Sequence, residues 1–212
     1  MDKYQKTIET FNNVAAAYWE KFKDFALYQS TYDDFIEHLS IGELDLLEIA
    51  CGPGHVSQYL LAKRPAINLL GIDLAPKMIE LARQHNQQAM YQIMDCRMII
   101  SLNQSFDAIM CGFCIPYLNW SDSQKLIQDM CHCLVPGGTL YISYTEGDIS
   151  QSGYQGSQSA KGSIYVHYHD INAIEQCLKQ SGLQIISIKR LTHVHNQQTT
   201  KDVFILAKKA QT

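Results

Sequence analysis

Apolar residues change their spacing near residue 42. Before it they recur every three or four positions, which predicts helices over residues 4–40. Gly42 ends that segment, and short, nearly uniform apolar runs follow, first at 44–50 and then at 67–73. Strands that are apolar on both faces and alternate with helices predict a parallel sheet covered on both sides, which is an α/β fold.

The rest of the chain continues this alternation. Its predicted elements are strands at 89–95, 106–113 and 139–145 and helices at 55–64, 76–87 and 122–134. Pro136-Gly137-Gly138 predicts a turn before the last of these strands. Residues 147–163, rich in Gly, Ser and Gln, are predicted to form a mobile loop. A helix at 170–181 and an antiparallel hairpin of strands at 183–191 and 203–208, joined by a polar connection, complete the chain.

Composition limits the function classes. The 212 residues suggest one structural domain, in which 1–42 form a helical cap and 43–212 the α/β unit. The net charge of −4 gives no reason to expect a nucleic-acid partner. The apolar runs are too short to span a bilayer, and seven cysteines, an odd number partly inside apolar runs, suit a reducing compartment. We therefore expect a cytoplasmic protein with no membrane partner.

A glycine-rich turn follows the first predicted strand. It reads Glu48-Ile-Ala-Cys-Gly52-Pro53-Gly54, and a helix begins after it. Gly52 and Gly54 permit a positive φ and close approach of a ligand. Ser57 stands where a dinucleotide fingerprint requires a third glycine, and Pro53 removes an N–H from any phosphate cradle. Glu48 opposes a pyrophosphate but suits a positive group such as an α-amino group.

Two further strands also end in carboxylates. Asp73 ends the second strand, about 20 residues after the turn, where it can accept hydrogen bonds from ribose hydroxyls. Asp95, followed by Cys96, ends the third strand, where it can accept from an adenine amino group. An ordinary strand-to-helix turn would explain the two glycines alone. With Glu48, the three strand ends instead predict a site for an amine, a ribose and a base.

These stretches together resemble the class I S-adenosylmethionine-dependent methyltransferases. The matching stretches, in family order, are L-L-E-I-A-C-G-P-G, G-I-D-L-A-P-K-M-I-E-L-A-R, F-D-A-I-M-C and L-V-P-G-G-T-L-Y-I-S-Y. The later Y-V-H-Y-H-D-I-N is similar to members that act on small molecules. The resemblance implies a Rossmann-like three-layer sandwich with strand order 3-2-1-4-5-7-6, strand 7 antiparallel. It also implies methyl transfer to a small-molecule acceptor, with S-adenosylhomocysteine as the product.

The resemblance assigns residues to parts of the cofactor. The methionyl portion is expected against Glu48, Ala50, Gly52 and Gly54, with Tyr18 near its carboxylate. The remaining residues are Asp73, Leu74 and Met78 at the ribose and adenosine, Asp95 and Cys96 at the adenine, and Cys111 and Phe113 near the sulfonium. Ala50 replaces a common glycine, and we expect it to have a negative φ.

Catalytic and competing assignments remain open. Tyr117, His167 and Tyr18 are candidates for a general base, if the acceptor requires one. Cys111 and Cys114 form a C-x-x-C, which could indicate redox or zinc chemistry, but no second such pair completes four ligands. We therefore expect no metal and assign these cysteines to pocket packing. A non-catalytic cofactor-binding module and an NAD-dependent oxidoreductase are the alternative functions. The acceptor and the oligomeric state are not encoded in any motif.

Overall fold

The computed structural model describes residues 2–24, 26–156, 162–195 and 198–211. Its α-helices are α1 (Lys3–Phe22), α2 (Gln29–Glu37), α3 (His55–Lys63), α4 (Pro76–His85), α5 (Trp120–Cys133) and α6 (Ile171–Gln180). Its strands are β1 (Leu44–Ile49), β2 (Ile67–Asp73), β3 (Met90–Ile93), β4 (Phe106–Gly112), β5 (Leu134–Glu146), β6 (Gly153–Gly156), β7 (Ser163–Val166), β8 (Leu183–His195) and β9 (Gln198–Lys209). Short 3-10 helices lie at Ala26–Tyr28, Cys96–Leu102, Ile115–Tyr117 and Ile149–Gln151.

The main sheet has seven strands in the order β3-β2-β1-β4-β5-β9-β8. The pairs from β3 to β5 are parallel, whereas β9 runs antiparallel to both β5 and β8. This confirms the predicted Rossmann-like order and its antiparallel strand. The order reverses between β1 and β4, so the carboxyl ends of these strands form the crevice where such sheets bind ligands.

The sheet is buried on both faces because its central strands are apolar at successive positions. Leu46 and Leu47 are adjacent in β1 and both fully buried, yet they belong to different hydrophobic clusters. One cluster lies under α5 and α6, and the other under α2, α3 and α4. Each apolar side chain buried in this way contributes about 1.5–3 kcal/mol. The doubly covered sheet therefore fixes the positions of its strand ends.

Three predicted segments were wrong in detail. Pro136-Gly137-Gly138 lies inside β5 as an irregularity, where the pairing register with β4 shifts between Phe106 and Ala108. Residues 147–163 contain a 3-10 helix and β6, which pairs antiparallel with β7; residues 157–161 of that predicted loop lie outside the described residues. The polar connection predicted at 193–202 is strand up to His195 and again from Gln198, because β8 and β9 pair to those residues; residues 196–197 lie outside the described residues. Local composition missed all three, since each depends on a neighbouring strand.

Helix α1 lies across the carboxyl edge of the sheet. Tyr4 donates to Asp122 of α5 at 2.5 Å, and Thr10 donates to the Ser163 carbonyl of β7 at 3.1 Å. Further along, the Asn12 side chain accepts from the Lys77 amide at 2.9 Å. These contacts hold α1 at both ends of the crevice. Within the described part of the chain, no helix combines the length and apolarity needed to cross a membrane.

Candidate functional site

The turn after β1 is held by its own backbone and by Asp73. The amide of Gly54 donates to the Cys51 carbonyl at 3.1 Å, and Gly52, with φ +54°, donates its amide to Asp73 Oδ2 at 3.0 Å. Ala50 has φ +56°, so the expected negative φ was wrong. This left-handed conformation costs a residue with a Cβ roughly 1–2 kcal/mol. The turn thus holds Ala50 in a conformation that glycine would adopt without this strain.

Glu48 is a buried carboxyl group at the end of β1. It is 2% exposed, and the hydroxyl of fully buried Ser57 donates to its Oε2. Burial raises the pKa of Glu48 to about 8, against the opposing effect of the Ser57 hydrogen bond. A cationic group placed beside Glu48 would restore its charge, as predicted for an α-amino group.

Asp73 has a structural role in addition to the predicted ligand role. Its Oδ1 accepts from the Ala75 amide at 2.8 Å, while Oδ2 accepts from Gly52. Burial raises the pKa of Asp73, and the backbone hydrogen bonds oppose that rise. Each carboxylate oxygen can accept a further hydrogen bond. Asp73 can therefore support the turn and still face the vicinal hydroxyls of a ribose.

Asp95 forms a salt bridge with Arg97, a residue that was not predicted from the sequence to belong to the site. The guanidinium of Arg97 contacts both carboxylate oxygens, with Nη2 to Oδ2 at 2.6 Å and Nε to Oδ1 at 3.0 Å. Burial favours the neutral form of Asp95, but the contacts with Arg97 outweigh it and lower its pKa. An adenine amino group would have to share this carboxylate with Arg97. Met78 is buried against Ala15 of α1, which places it beneath that helix, and Leu74 is half-buried.

Two of the site's glycines, Gly52 and Gly112, face open space, whereas Gly54 is packed closely against α4. A Cβ added at Gly52 or at Gly112, the last residue of β4, would meet no atom within 4 Å. At Gly54, with φ +88°, an added Cβ would lie 2.5 Å from Asn86 Nδ2 and 3.1 Å from Ala82 Cα. The close approach at Gly54 is therefore that of α4, whereas the ends of β1 and β4 border open space. Asn86 strengthens the α4 contact by donating to the Gly54 carbonyl at 2.9 Å.

Aromatic side chains cover the crevice. Tyr18 packs against Phe22 with ring centroids 4.5 Å apart and lies 6.0 Å from the His55 ring. Phe11 meets Tyr117 edge-on at 5.1 Å. Burial and the nearby Asp73 charge raise the pKa of Tyr18 to about 12. The tyrosine is therefore near the Asp73 carboxylate and stays protonated at neutral pH.

His55, at the first position of α3, carries an unused polar atom. Its Nδ1 is buried without a hydrogen-bond partner, and burial lowers its pKa to about 4. Together with Phe22, Lys23 and Tyr32, His55 lines a cavity of about 300 Å³ beside the turn. Helix N-termini attract anions. His55 was not among the site residues predicted from the sequence; its position directly after Gly54 was the available signal.

The remaining predicted residues lie near the end of β4. Cys111 and Cys114 are buried, and Cys114 lies 3.7 Å from Cys96 between sulfur atoms. Phe113 has φ +51°, and its amide donates to the carbonyl and hydroxyl oxygens of Ser143, both at 3.1 Å. All seven cysteines are free thiols. Among residues 2–24, 26–156, 162–195 and 198–211, no group of three or more His, Cys, Asp or Glu side chains is arranged to hold a metal ion.

The three predicted base candidates differ in their chemistry. Burial raises the pKa of Tyr117 far above neutrality, as it does for Tyr18, so neither phenol accepts protons readily at pH 7. Burial lowers the pKa of His167, which keeps its imidazole neutral. The His167 amide donates to the Pro116 carbonyl at 2.7 Å, so β7 joins the site through its backbone. The structure thus favours histidine over tyrosine as a proton acceptor.

Comparison with known proteins agrees with this geometry. Residues 46–138 match the family described as "Methyltransferase domain". Ubiquinone biosynthesis O-methyltransferase from Coxiella burnetii is 27% identical over 147 residues, which are 66% of this chain and 61% of that protein. The chain thus covers less than two thirds of the length of that relative.

Solved structures share the fold. N-methyltransferase NodS from Bradyrhizobium japonicum, in complex with S-adenosyl-L-homocysteine, has a TM-score of 0.70 at 17% identity and covers 99% of each chain. Magnesium protoporphyrin IX methyltransferase from Synechocystis, with bound S-adenosylmethionine, has a TM-score of 0.71 at 16% identity over 99% of this chain and 98% of its own. At 16–17% identity, these similarities show that the fold is shared, and they show no more than that.

Proposed function

From the premise that residues 46–138 form a class I S-adenosylmethionine-dependent methyltransferase domain, we propose that this chain methylates an oxygen atom of a small molecule. The observation that carries the proposal is the set of carboxyl groups at three neighbouring strand ends. Glu48, Asp73 and Asp95 end or follow β1, β2 and β3, and open space borders Gly52 and Gly112 at the ends of β1 and β4.

The residues present fit S-adenosylmethionine. Glu48 would face its α-amino group, and Asp73 the ribose hydroxyls. The carboxylate of the methionyl portion would lie toward the N-terminus of α3, near Tyr18 and the unpartnered Nδ1 of His55. The adenine would lie near Asp95 and Cys96. In contrast, Glu48 and Pro53 offer a pyrophosphate a buried carboxyl group and no N–H, which counts against NAD.

The chain's own residues would position the reaction rather than supply its electrophile. When bound, S-adenosylmethionine supplies a methyl group that is already electrophilic. Gly112 leaves room at the end of β4, and the backbone hydrogen bonds of Phe113 fix the wall beside it. Residues 1–42 would act as a cap, because Phe11 and Tyr18 of α1 cover the crevice and exclude water. Holding the acceptor in line with the breaking bond would provide much of the rate.

The name of a sequence relative supports oxygen as the atom that accepts the methyl group. The Coxiella relative is named as an O-methyltransferase, and its similarity extends over 66% of this chain. The net charge of −4 and the absence of a basic stripe in the sequence support a small molecule over a nucleic acid. Cys111 and Cys114 would pack beside the sulfonium without reacting.

Calorimetry and a turnover assay test the proposal. S-adenosylhomocysteine should bind to the purified chain, and NAD should not. Formation of S-adenosylhomocysteine from S-adenosylmethionine should then depend on a phenol or catechol from an acceptor panel that also contains amines and thiols. Tight NAD binding without S-adenosylhomocysteine binding would contradict the cofactor assignment. Transfer only to amines would contradict the oxygen acceptor, and binding without any transfer would favour a non-catalytic module.

A further inference from the structure

Asp202 is a buried carboxylate at the carboxyl edge of the sheet. It is 1% exposed and lies on β9, opposite Thr145 of β5. The Thr145 hydroxyl donates to its Oδ1 at 2.8 Å, and the Tyr28 hydroxyl donates to its Oδ2 at 2.6 Å. A carboxylate so far from water is costly unless it is paired or used. Both of these donors are neutral hydroxyl groups.

His193 of β8 lies beside this carboxylate. Its Nδ1 is buried and lies 3.5 Å from Asp202 Oδ2, and it has no hydrogen bond to any residue that the structure describes. Two residues precede it at alternate positions of β8: Lys189 pairs with Asp34 of α2, and Leu191 packs against the hydrophobic cluster under α2, α3 and α4. His193 is therefore the next residue on the same face of β8, nearer to the carboxyl edge of the sheet. A shift of well under 1 Å would close the bond to Asp202. Catalytic hydrogen bonds are often long in unliganded proteins.

This pair lies on the acceptor side of the site. The cofactor residues lie at the ends of β1, β2 and β3, so an acceptor approaching from the opposite direction meets β4, β5, β9 and β8. The Tyr28 ring is 5.3 Å from that of Phe113, at the end of β4, and 6.3 Å from that of His193. Tyr28 therefore connects the wall beside the cofactor to the pair of His193 and Asp202.

Tyr28 itself is a donor rather than a base. Burial raises its pKa far above neutrality, and its hydrogen bond to Asp202 raises it further. His167, the histidine among the base candidates predicted from the sequence, has no hydrogen bond to a carboxylate among the described residues. Of these groups, His193 alone combines an imidazole with an adjacent buried carboxylate. A carboxylate hydrogen-bonded to one ring nitrogen orients the imidazole and leaves the other nitrogen to meet the acceptor.

We propose that His193 and Asp202 are the proton-accepting pair for a hydroxyl-bearing acceptor of the phenol class. This rests on the proposed methyl transfer. The acceptor oxygen forms its bond to the methyl carbon while that carbon's bond to the donor sulfur breaks, and sulfur keeps the electron pair. The acceptor's proton goes to Nε2 of neutral His193, whose Nδ1–H donates to Asp202. The imidazolium then releases the proton to water.

A chromogenic phenol tests the pair without turnover. 4-Nitrocatechol absorbs at longer wavelength when ionised, so its spectrum reports proton transfer on binding. Below the pKa of the free probe, the S-adenosylhomocysteine-bound wild-type protein should give the phenolate spectrum. His193→Gln should bind the probe without that shift, and Asp202→Asn should weaken it. His132→Gln, exposed on α5, is the matched control and should behave as wild type.

The outcomes separate the two proposals. Failure of the wild type to bind S-adenosylhomocysteine would refute the methyltransferase proposal itself. Binding of S-adenosylhomocysteine without any bound phenolate, or a phenolate that persists in His193→Gln, would overturn the role of His193. A shift lost only in His167→Gln would transfer the role to that residue. If Asp202→Asn does not fold, the partly exposed His193 still provides the decisive variant.

Kinetics provide a second readout that a structural role would not change. His193→Gln should lower kcat for catechol about 100-fold or more, the usual range for loss of a general base. The loss should be smaller for 4-nitrocatechol, whose hydroxyl ionises more readily. The affinity for S-adenosylhomocysteine should not change. An equal loss with both acceptors would indicate that His193 only supports the fold.

Discussion

The hydroxyl of Ser57, in the first turn of α3, donates to the carboxyl group of Glu48 at the end of β1. Both side chains are buried, so the turn between them encloses a polar pair with little access to water. In the sequence, Ser57 mattered only as a missing glycine of a dinucleotide fingerprint. In the fold it orients the carboxyl group that would face the cofactor's amino group.

Ser57→Ala should therefore weaken cofactor binding and stability together. It leaves Glu48 without its donor, which costs roughly 1–3 kcal/mol for a buried acceptor. We expect the affinity for S-adenosylhomocysteine to fall about tenfold, since 1.4 kcal/mol corresponds to a factor of ten. Calorimetry and urea denaturation measure the two effects.

Ser123→Ala is the matched control for this prediction. Ser123 is equally buried, but in the part of the chain that the structure describes its hydroxyl has no hydrogen-bond partner. Its removal should therefore leave binding unchanged and stability the same or higher. Equal losses in the two variants would show that Ser57 contributes only packing.

Glu48 should make the stability of the free protein depend on pH. Its pKa in the fold, about 8, exceeds its ordinary value near 4.5. Its stabilising contribution is therefore complete below about pH 4.5 and is lost as pH rises through about 8. Glu48→Gln removes this loss, so the variant should gain stability relative to wild type between pH 5 and pH 8.5, by on the order of 2 kcal/mol.

Thermal unfolding across this pH range measures the gain, and about 2–4 °C of Tm is expected per kcal/mol for a chain of this size. Glu37→Gln, at an exposed position of α2, is the control and should show no such trend. Glu48→Gln should also lose affinity for S-adenosylhomocysteine. A variant that is neither more stable at high pH nor weaker in binding would remove Glu48 from the amine-facing role.

Asp73 requires a test that separates its two roles. Asp73→Asn keeps one carbonyl oxygen for the backbone amides but places an amide group near the other N–H. We expect about 1–2 kcal/mol of lost stability and a 10- to 100-fold loss of affinity for S-adenosylhomocysteine. Asp107→Asn is the control, because Asp107 Oδ2 also accepts a backbone N–H, that of Asp45 at 2.8 Å.

The control should lose stability without losing affinity. If both variants lose affinity in proportion to stability, Asp73 acts only as a support of the glycine turn. Calorimetry at a temperature where both proteins are fully folded separates the effects.

The alternation of strands and helices was predictable because it depends on local apolar patterns. Strand β2 was predicted with both ends correct, and β1 within one residue. The hairpin of β6 and β7 was missed because each strand has only four residues, β6 is rich in glycine, and β7 packs against α1, far away in sequence. A short strand that depends on such a partner leaves little signal in composition.

The residues of the candidate site likewise fall into those that could be predicted from the sequence and those that could not. Carboxylates at strand ends were identifiable because parallel strands end at one edge of the sheet. The salt bridge between Arg97 and Asp95 was not predicted, because it depends on the direction of the Arg97 side chain in the 3-10 helix that follows β3. The approach of His193 to Asp202 was not predicted either, since both positions had been assigned to a loop.

Ala50 supplies the last prediction, because the sequence suggested the wrong backbone conformation for it. With φ +56°, the residue is strained by its Cβ, and Ala50→Gly removes that strain. Relief of roughly 1–2 kcal/mol is offset by about 0.4–1 kcal/mol from the greater freedom of glycine in the unfolded chain. We expect a net gain of up to about 1 kcal/mol in urea denaturation. Ala75→Gly is the control, because Ala75 has φ −89° and should only lose stability. A loss in Ala50→Gly as large as that in Ala75→Gly would mean that the turn does not hold residue 50 in the left-handed region in solution.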